Sequence, residues 1–273
     1  MLPVTGDEQL LDVLARGDLD VVGRLVDASN ATLLAMCTTD GVSRRCVYKP
    51  VRGERPLWDF PAQTLARREV AAYRLSAAAG WHVVPPTVLR DGPHSPGSVQ
   101  AWIEGAAPDE MAEPGGGVID VVAADAVPSG WLRVIEAEGY DGSAVVLAHA
   151  DDAQLRAMAV FDIVVDNADR KGGHVMRERD GRLRGVDHGL TFNVDTKLRT
   201  VLWGWAGRRL DQDALEPIAR LEAALDGELG QDLADLLSVE EVRRTVERIE
   251  QLREAGRFPR PGARRPAIPW PAF

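Results

Sequence analysis

Apolar and polar positions along the chain follow two different rhythms. Up to about residue 104, short runs rich in Val, Leu and Thr alternate with turn residues. They predict strands at Val21–Val26, Thr32–Thr38 and Arg44–Lys49, with turns at 27–30 and at Asp40-Gly41. TGDEQLLDVLARG ahead of them reads as a short helix, opened by a Thr5/Glu8 capping box and stopped by Gly17. AQTLARREVAAYRLSAAAG is rich in helix formers and stops at Gly80. WHVVPPTVLRDG and PGSVQAWIEG read as strands. Residues 105–130, rich in Gly, Pro, Ala and acids, read as a linker or surface insertion. The rhythm then becomes helical, through Leu155, Met158, Phe161 and Val165. Beyond Gly207 helices dominate, and a Ser238/Glu241 capping box opens one that ends near Gly256. The tail RFPRPGARRPAIPWPAF is expected to lie extended on the surface or loose.

Strands first and helices later suggest an α+β protein of two lobes with a cleft between them. Residues 1–104 form the small β-rich N-lobe, 105–130 the linker or insertion, and 131–273 a mainly helical C-lobe holding one hairpin. With 273 residues, 45% of them apolar, there is ample material for a core. The net charge of −10 argues against a general nucleic-acid surface and leaves only local basic patches. Cys37 and Cys46 flank a hairpin, belong to no CxxC, and are expected close together and reduced. No run approaches the ~20 apolar residues of a membrane span. The first residues lack a basic segment followed by an apolar run. The expected location is the cytoplasm.

The stretch from Asp166 to Gly189, DNADRKGGHVMRERDGRLRGVDHG, concentrates the chemistry. Asp180-Gly181 signals a two-residue type I′ turn, which pairs Val175 with Val186 and His174 with Asp187. Opposed side chains leave the same face about 5 Å apart, a spacing two ligands of one divalent cation can use. Asp169 precedes two glycines, 172 and 173, that let the loop fold back toward the same point. Spacing alone leaves two readings open: a surface hairpin, or a metal or phosphate site.

Asn167-Ala168-Asp169-Arg170 followed by Val186-Asp187-His188-Gly189 resembles the catalytic and metal-binding loops of the phosphatidylinositol 3-/4-kinase superfamily. The likeness is greatest to type II phosphatidylinositol 4-kinases and HipA-like kinases, with an actinobacterial branch of kinase-like proteins nearest. VYKP resembles the strand with the ATP lysine, EVAAYRLSAAAGWHVVPPT the helix with its glutamate partner, and GSVQAWIEG the hinge. The likeness spans roughly residues 20–205 and implies a two-lobed protein-kinase-like fold.

It also implies a nucleotide partner, ATP, with Mg²⁺ or Mn²⁺, and transfer of the γ-phosphoryl group to a hydroxyl of a protein or small molecule. Lys49 would contact the phosphates and Glu69 would hold it, with Arg68 facing elsewhere. Gln100, Trp102 and Ile103, within the hinge running to Glu104, would meet the adenine. Ser29 and Asn30 would belong to a phosphate loop working through backbone N–H groups, although that turn lacks the usual glycines. Asp169 would orient or deprotonate the acceptor, Arg170 steady the loop or the γ-phosphate, and Asn167 brace the loop. His174 and Asp187 would hold the metal, and His188 would pack behind Asp187. The family pattern has Asn where His174 stands, which opens direct ligation, ligation through water, or loss of one metal site. A nucleotide-binding regulator without catalysis and an AMP transferase are the competing readings. Lys197, Arg199, Arg208 and Arg209, with Trp203 and Trp205 among them, leave two readings open: tryptophans packed in the C-lobe with arginines met by local acids, or a patch that attracts an anionic acceptor or membrane headgroup.

Overall fold

The computed structural model describes residues 6–25, 30–104, 117–262 and 266–273. Thr5, Ser29 and the first part of the expected linker lie outside the described residues.

Helix α1 (Gly6–Arg16) covers one face of a five-stranded antiparallel sheet. Its strands are β1 (Asp18–Arg24), β2 (Leu33–Thr39), β3 (Val42–Pro50), β4 (Thr87–Arg90) and β5 (Gly97–Ala101), in the order β1-β2-β3-β5-β4. Asp40 and Gly41 both have positive φ and join β2 to β3 as the expected two-residue turn. The two-residue period of a strand sorts the side chains. Ala35, Cys37, Cys46, Tyr48 and Val99 pack with Val13 and Leu14 of α1. Lys49, next in line after Tyr48, therefore leaves the opposite face, toward helix α2 (Leu65–Ala79). The Cys37 and Cys46 thiols are buried, free of a disulfide and hydrogen-bonded to each other at 3.6 Å.

Helices α3 (Ala153–Val165), α4 (Gln212–Leu225), α5 (Glu228–Leu236) and α6 (Val239–Ala255) make the second lobe. The Ser238/Glu241 box is formed at the start of α6. The core of this lobe runs through Leu155, Phe161, Trp205, Ile218 and Ile249 and reaches α2 through Leu75. Arg68 of α2 is fully buried and links the lobes. It donates to the Thr191 carbonyl at 2.6 Å and pairs with Glu241 of α6. The architecture is α+β, a two-lobed protein-kinase-like fold.

Two expectations are corrected. Ile119–Ala123, within the expected linker, is strand β6. It joins β7 (Trp131–Glu138) and β8 (Ala144–Ala150) in a sheet ordered β6-β8-β7. Val146, Leu147 and Ala148 are buried, so this sheet belongs to the body of the protein. Second, the hairpin of β9 (Val175–Arg177) and β10 (Leu183–Gly185) pairs Gly185 with Val175, one residue off the expected register. The turn holds three residues, Arg179, Asp180 and Gly181, of which only Gly181 has positive φ, +87°. That is a type I turn closed by a left-handed glycine.

The tail is extended and docked. Ala267 accepts from the Thr200 N–H at 3.0 Å and from the Trp203 indole at 2.8 Å, and Ala272 accepts from the Gly172 N–H at 2.8 Å. A Cβ on Gly172 would lie 2.1 Å from the Phe273 ring, so a larger residue there would have to push the terminal side chain aside.

Candidate functional site

The cleft floor is built around one ammonium. Lys49 Nζ pairs with a Glu69 carboxylate oxygen and donates to Asp187 Oδ1 at 2.8 Å. The other Glu69 oxygen accepts the His188 backbone N–H at 3.0 Å, so α2 also fixes the chain just past Asp187. Burial works against the charge on Lys49, but the Asp187 and Glu69 carboxylates outweigh it and hold its pKa above the usual value. Lys49 in turn, with smaller help from His174, keeps Asp187 well below the usual carboxylate range.

His174 and Asp187 do meet, by a route the sequence did not suggest. In the observed register Val186 lies opposite His174 and donates its N–H to the His174 carbonyl at 3.0 Å. Asp187 then takes φ +61°, unusual for a residue with a side chain, and swings its carboxylate back. Its Oδ2 lies 3.5 Å from His174 Nε2. His174 Nδ1 lies 2.8 Å from the Asp169 carbonyl, which can only accept, so Nδ1 carries the proton. Nε2 therefore turns a lone pair toward a carboxylate. Burial lowers the His174 pKa, with Asp187 opposing in part, so the imidazole is neutral at pH 7. Two electron-rich atoms facing one another, one fixed by a hydrogen bond on its far side, suit a divalent cation. Among the described residues no three His, Cys, Asp or Glu side chains cluster as a metal group. Phosphate and water oxygens would have to complete the shell, as is usual for Mg²⁺ and Mn²⁺.

The loop carrying Asp169 is braced from behind. Asp162, near the end of α3, is fully buried. It accepts from Arg170 Nε at 3.1 Å, from Asn167 Nδ2 at 2.9 Å and from the Thr200 hydroxyl at 3.2 Å. Arg170 also donates to the His174 and Val186 carbonyls, at 3.3 and 3.2 Å, and to His188 Nε2 at 2.7 Å. Its side chain has no exposed surface and is spent on these internal contacts. Asn167 Oδ1 accepts the Asp169 N–H at 3.0 Å. The Asp169 side chain is left partly exposed, 3.5 Å from the Lys171 ammonium. Burial raises its pKa, and His174 and Lys171 oppose the rise.

His188 lies behind Asp187, edge-on to Phe161, with no exposed surface. Burial and the Arg170 charge hold it well below the usual histidine range. A group kept neutral in the folded state takes up protons on unfolding once the pH falls below about 6.5. Folding stability should therefore fall as the pH drops from 7 to 5. His188→Gln, which keeps an acceptor for Arg170, should flatten that slope in thermal melts. A slope left unchanged would place the effect in another group.

The remaining expected residues fall into place unevenly. Gln100 is buried and donates from Nε2 to the Thr87 hydroxyl at 2.9 Å. Trp102 is half-buried under the Arg45 guanidinium, and its N–H is bonded to the Arg45 carbonyl. Among the described residues, no backbone hydrogen bond engages Ile103, which leaves its peptide groups for a ligand. Asn30 accepts the Arg55 N–H at 2.9 Å, so its side chain ties two loops together. The basic segment is met in part by local acids and the core. Lys197 is buried on Asp59 at 2.9 Å, Arg208 pairs with Asp151 at 3.3 Å, and Trp205 is core. Sequence reasoning missed Asp162, and also Glu54, which caps α2 by accepting from the N–H groups of Leu65 and Ala66.

No family model matches the chain. Among solved structures, hydra Fam20 with sugar superposes with a TM-score of 0.50 at 12% identity, over 92% of this chain and 88% of that one. The Helicobacter pylori proinflammatory kinase CtkA overlaps more loosely, with a TM-score of 0.41 at 10% identity over 89% and 94% of the two chains. The first likeness is one of fold. In sequence, Protein Rv2133c of Mycobacterium tuberculosis is 49% identical over 263 residues, 96% of this chain and 94% of the relative. Identity at that level over nearly the whole of both proteins means that the chain belongs to the Rv2133c family.

Proposed function

We propose that this protein is an ATP-dependent phosphotransferase of the phosphatidylinositol 3-/4-kinase-like superfamily, moving the γ-phosphoryl group to a hydroxyl of a protein or small molecule. The observation that carries the reading is the Lys49 ammonium, held by Glu69 on one side and Asp187 on the other. An ammonium fixed at the mouth of a β-sheet is placed to receive phosphate oxygens as a point charge. The free peptide groups of Ile103 suit the adenine edge.

His174 Nε2 and Asp187 are the residues that would hold Mg²⁺ or Mn²⁺, whose chemistry is to neutralise charge on the phosphate oxygens. Asp169 aligns the acceptor hydroxyl and takes its proton late in the transfer, since a carboxylate is a weak base toward an alcohol. Asn167 and Arg170 keep Asp169 in place. Positioning and charge neutralisation supply most of the acceleration in such a loose transition state.

Incubation with ATP and Mn²⁺ followed by mass spectrometry tests the reading. Phosphoryl addition to the protein or to an added acceptor supports it, and adenylyl addition replaces it with AMP transfer. Nucleotide binding with no transfer and no ADP release under either metal would favour a regulator, to which the direct Lys49–Asp187 bond also lends itself. The metal preference should follow residue 174. Imidazole favours Mn²⁺ over Mg²⁺ more than an amide oxygen does. Exchanging His174 for Asn should therefore shift the preference toward Mg²⁺ by about ten-fold or more. Thermal shifts with ATP and each metal read this directly. An unchanged ratio would remove His174 from the metal.

A further inference from the structure

Behind the segment that follows Asp187 lies a cavity of about 1010 Å³ that the proposed transfer does not use. Residues 197–199 form one wall, the end of α6 another, and residues 257–260 and 266–267 a third. It is separate from the cleft. The chain at Arg199 bonds on both sides to the catalytic loop, its N–H to the Asn167 carbonyl and its carbonyl to the Arg170 N–H. Neither Asp169 nor His174 lines the space. Its size matches clefts that hold small organic molecules.

Its lining combines two chemistries. Trp203, Phe258 and Leu252 offer apolar surface, and Trp58 stands at the edge with 92% of its surface exposed. Cations are present in surplus. Lys197 and Arg248 are matched by Asp59 and Asp166, which leaves Arg199, Arg257 and Arg260 against Asp195. In a chain of net charge −10, a basic interior is the exception. Two of these cations, Arg199 and Arg260, lack acceptors among the described residues. Among the described residues no hydrogen bond or ion pair engages the Arg199 guanidinium. Arg248 is nearly buried and spends Nη2 on the Asn193 carbonyl, and its Nη1 is buried with no partner.

We propose that this cavity binds a small organic anion, a phosphate monoester or carboxylate on an apolar body, at a site distinct from the nucleotide cleft. The anionic oxygens would meet the Arg199 and Arg260 guanidinium groups, and the apolar body would lie against Trp203, Phe258 and Trp58. Charge-assisted hydrogen bonds to guanidinium groups supply direction, and desolvated aromatic walls supply the rest.

Phenyl phosphate and 3-phenylpropanoate are suitable probes, with inorganic phosphate and benzyl alcohol as halves of the same chemistry. Calorimetric titration of the full chain should show saturable binding of at least one probe, with both halves weaker by about ten-fold or more. Arg199→Ala and Ala255→Trp should each weaken that binding by about ten-fold. Both positions are partly or fully solvent-facing and both line the cavity, so fold is preserved while one loses the cation and the other fills the space. Lys49→Met, in the cleft, should leave it unchanged. The proposal is overturned if neither probe saturates, if both variants bind as the parent does, or if Lys49→Met abolishes binding.

Discussion

Asp169→Asn should reduce phosphoryl transfer by about 10²–10⁴-fold while ATP affinity stays within a factor of two. The asparagine keeps size and hydrogen-bonding shape but can neither accept the hydroxyl proton nor attract the Lys171 ammonium beside it. The loop should hold, because its braces do not involve the Asp169 side chain. The loop contacts there are the Asp169 N–H on Asn167 and the Asp169 carbonyl under His174. ADP release in single turnover, beside an equilibrium titration of nucleotide, separates the two effects. Transfer at the parental rate would sink the assignment of Asp169, and loss of nucleotide binding would show that the loop had moved.

The second large effect concerns stability. Asp162→Ala leaves the buried Arg170 guanidinium without its main counter-charge, and Asn167 and Thr200 without their shared acceptor. Breaking a buried ion pair from one side costs about 3–5 kcal/mol, a large share of the stability of an ordinary domain. Urea denaturation should show that loss. Asp162→Leu combined with Arg170→Met should cost less than Asp162→Ala alone, because no buried charge is then stranded. If Asp162→Ala costs less than about 1 kcal/mol, as a surface pair would, the brace is not structural. Nucleotide affinity should fall with Asp162→Ala only as far as the folded population does, since Asp162 does not face the cleft.

Much of the site could be read ahead of the structure because its parts are local. The roles of Lys49, Glu69 and Asp187 are legible only through the likeness of VYKP, the following helix and the Asp-His-Gly loop to kinase motifs, and the structure brings the three side chains together. Two Asp-Gly pairs show where such reading stops. At Asp40-Gly41 both residues take positive φ and the two-residue turn forms. At Asp180-Gly181 only the glycine does, the loop holds three residues, and the register moves by one. The dipeptide permits either turn, and the strands beside it decide. His174 and Asp187 still converge, because the positive φ at Asp187 offsets the slip, and no local pattern announces that conformation. Asp162 was illegible for another reason. It sits on an apolar helix and finds its partners only when two loops, at residues 167–170 and at Thr200, close over it. The β6–β8 sheet left more trace, with Val-Val-Leu runs and the Asp141-Gly142 turn, but the acidic, proline-rich sequence before it favours an open linker.

The bond between Lys49 and Asp187 sets an order of events. On the proposed reading, one carboxylate anchors the ammonium and would also be the seat for a cation, and it cannot fully serve both. A bare ion arriving first must compete with a tethered ammonium at 2.8 Å. An ion arriving already bound to a nucleotide brings new oxygens to which Lys49 can turn. Metal titrations without nucleotide should therefore understate affinity, and the two components would enter as one complex.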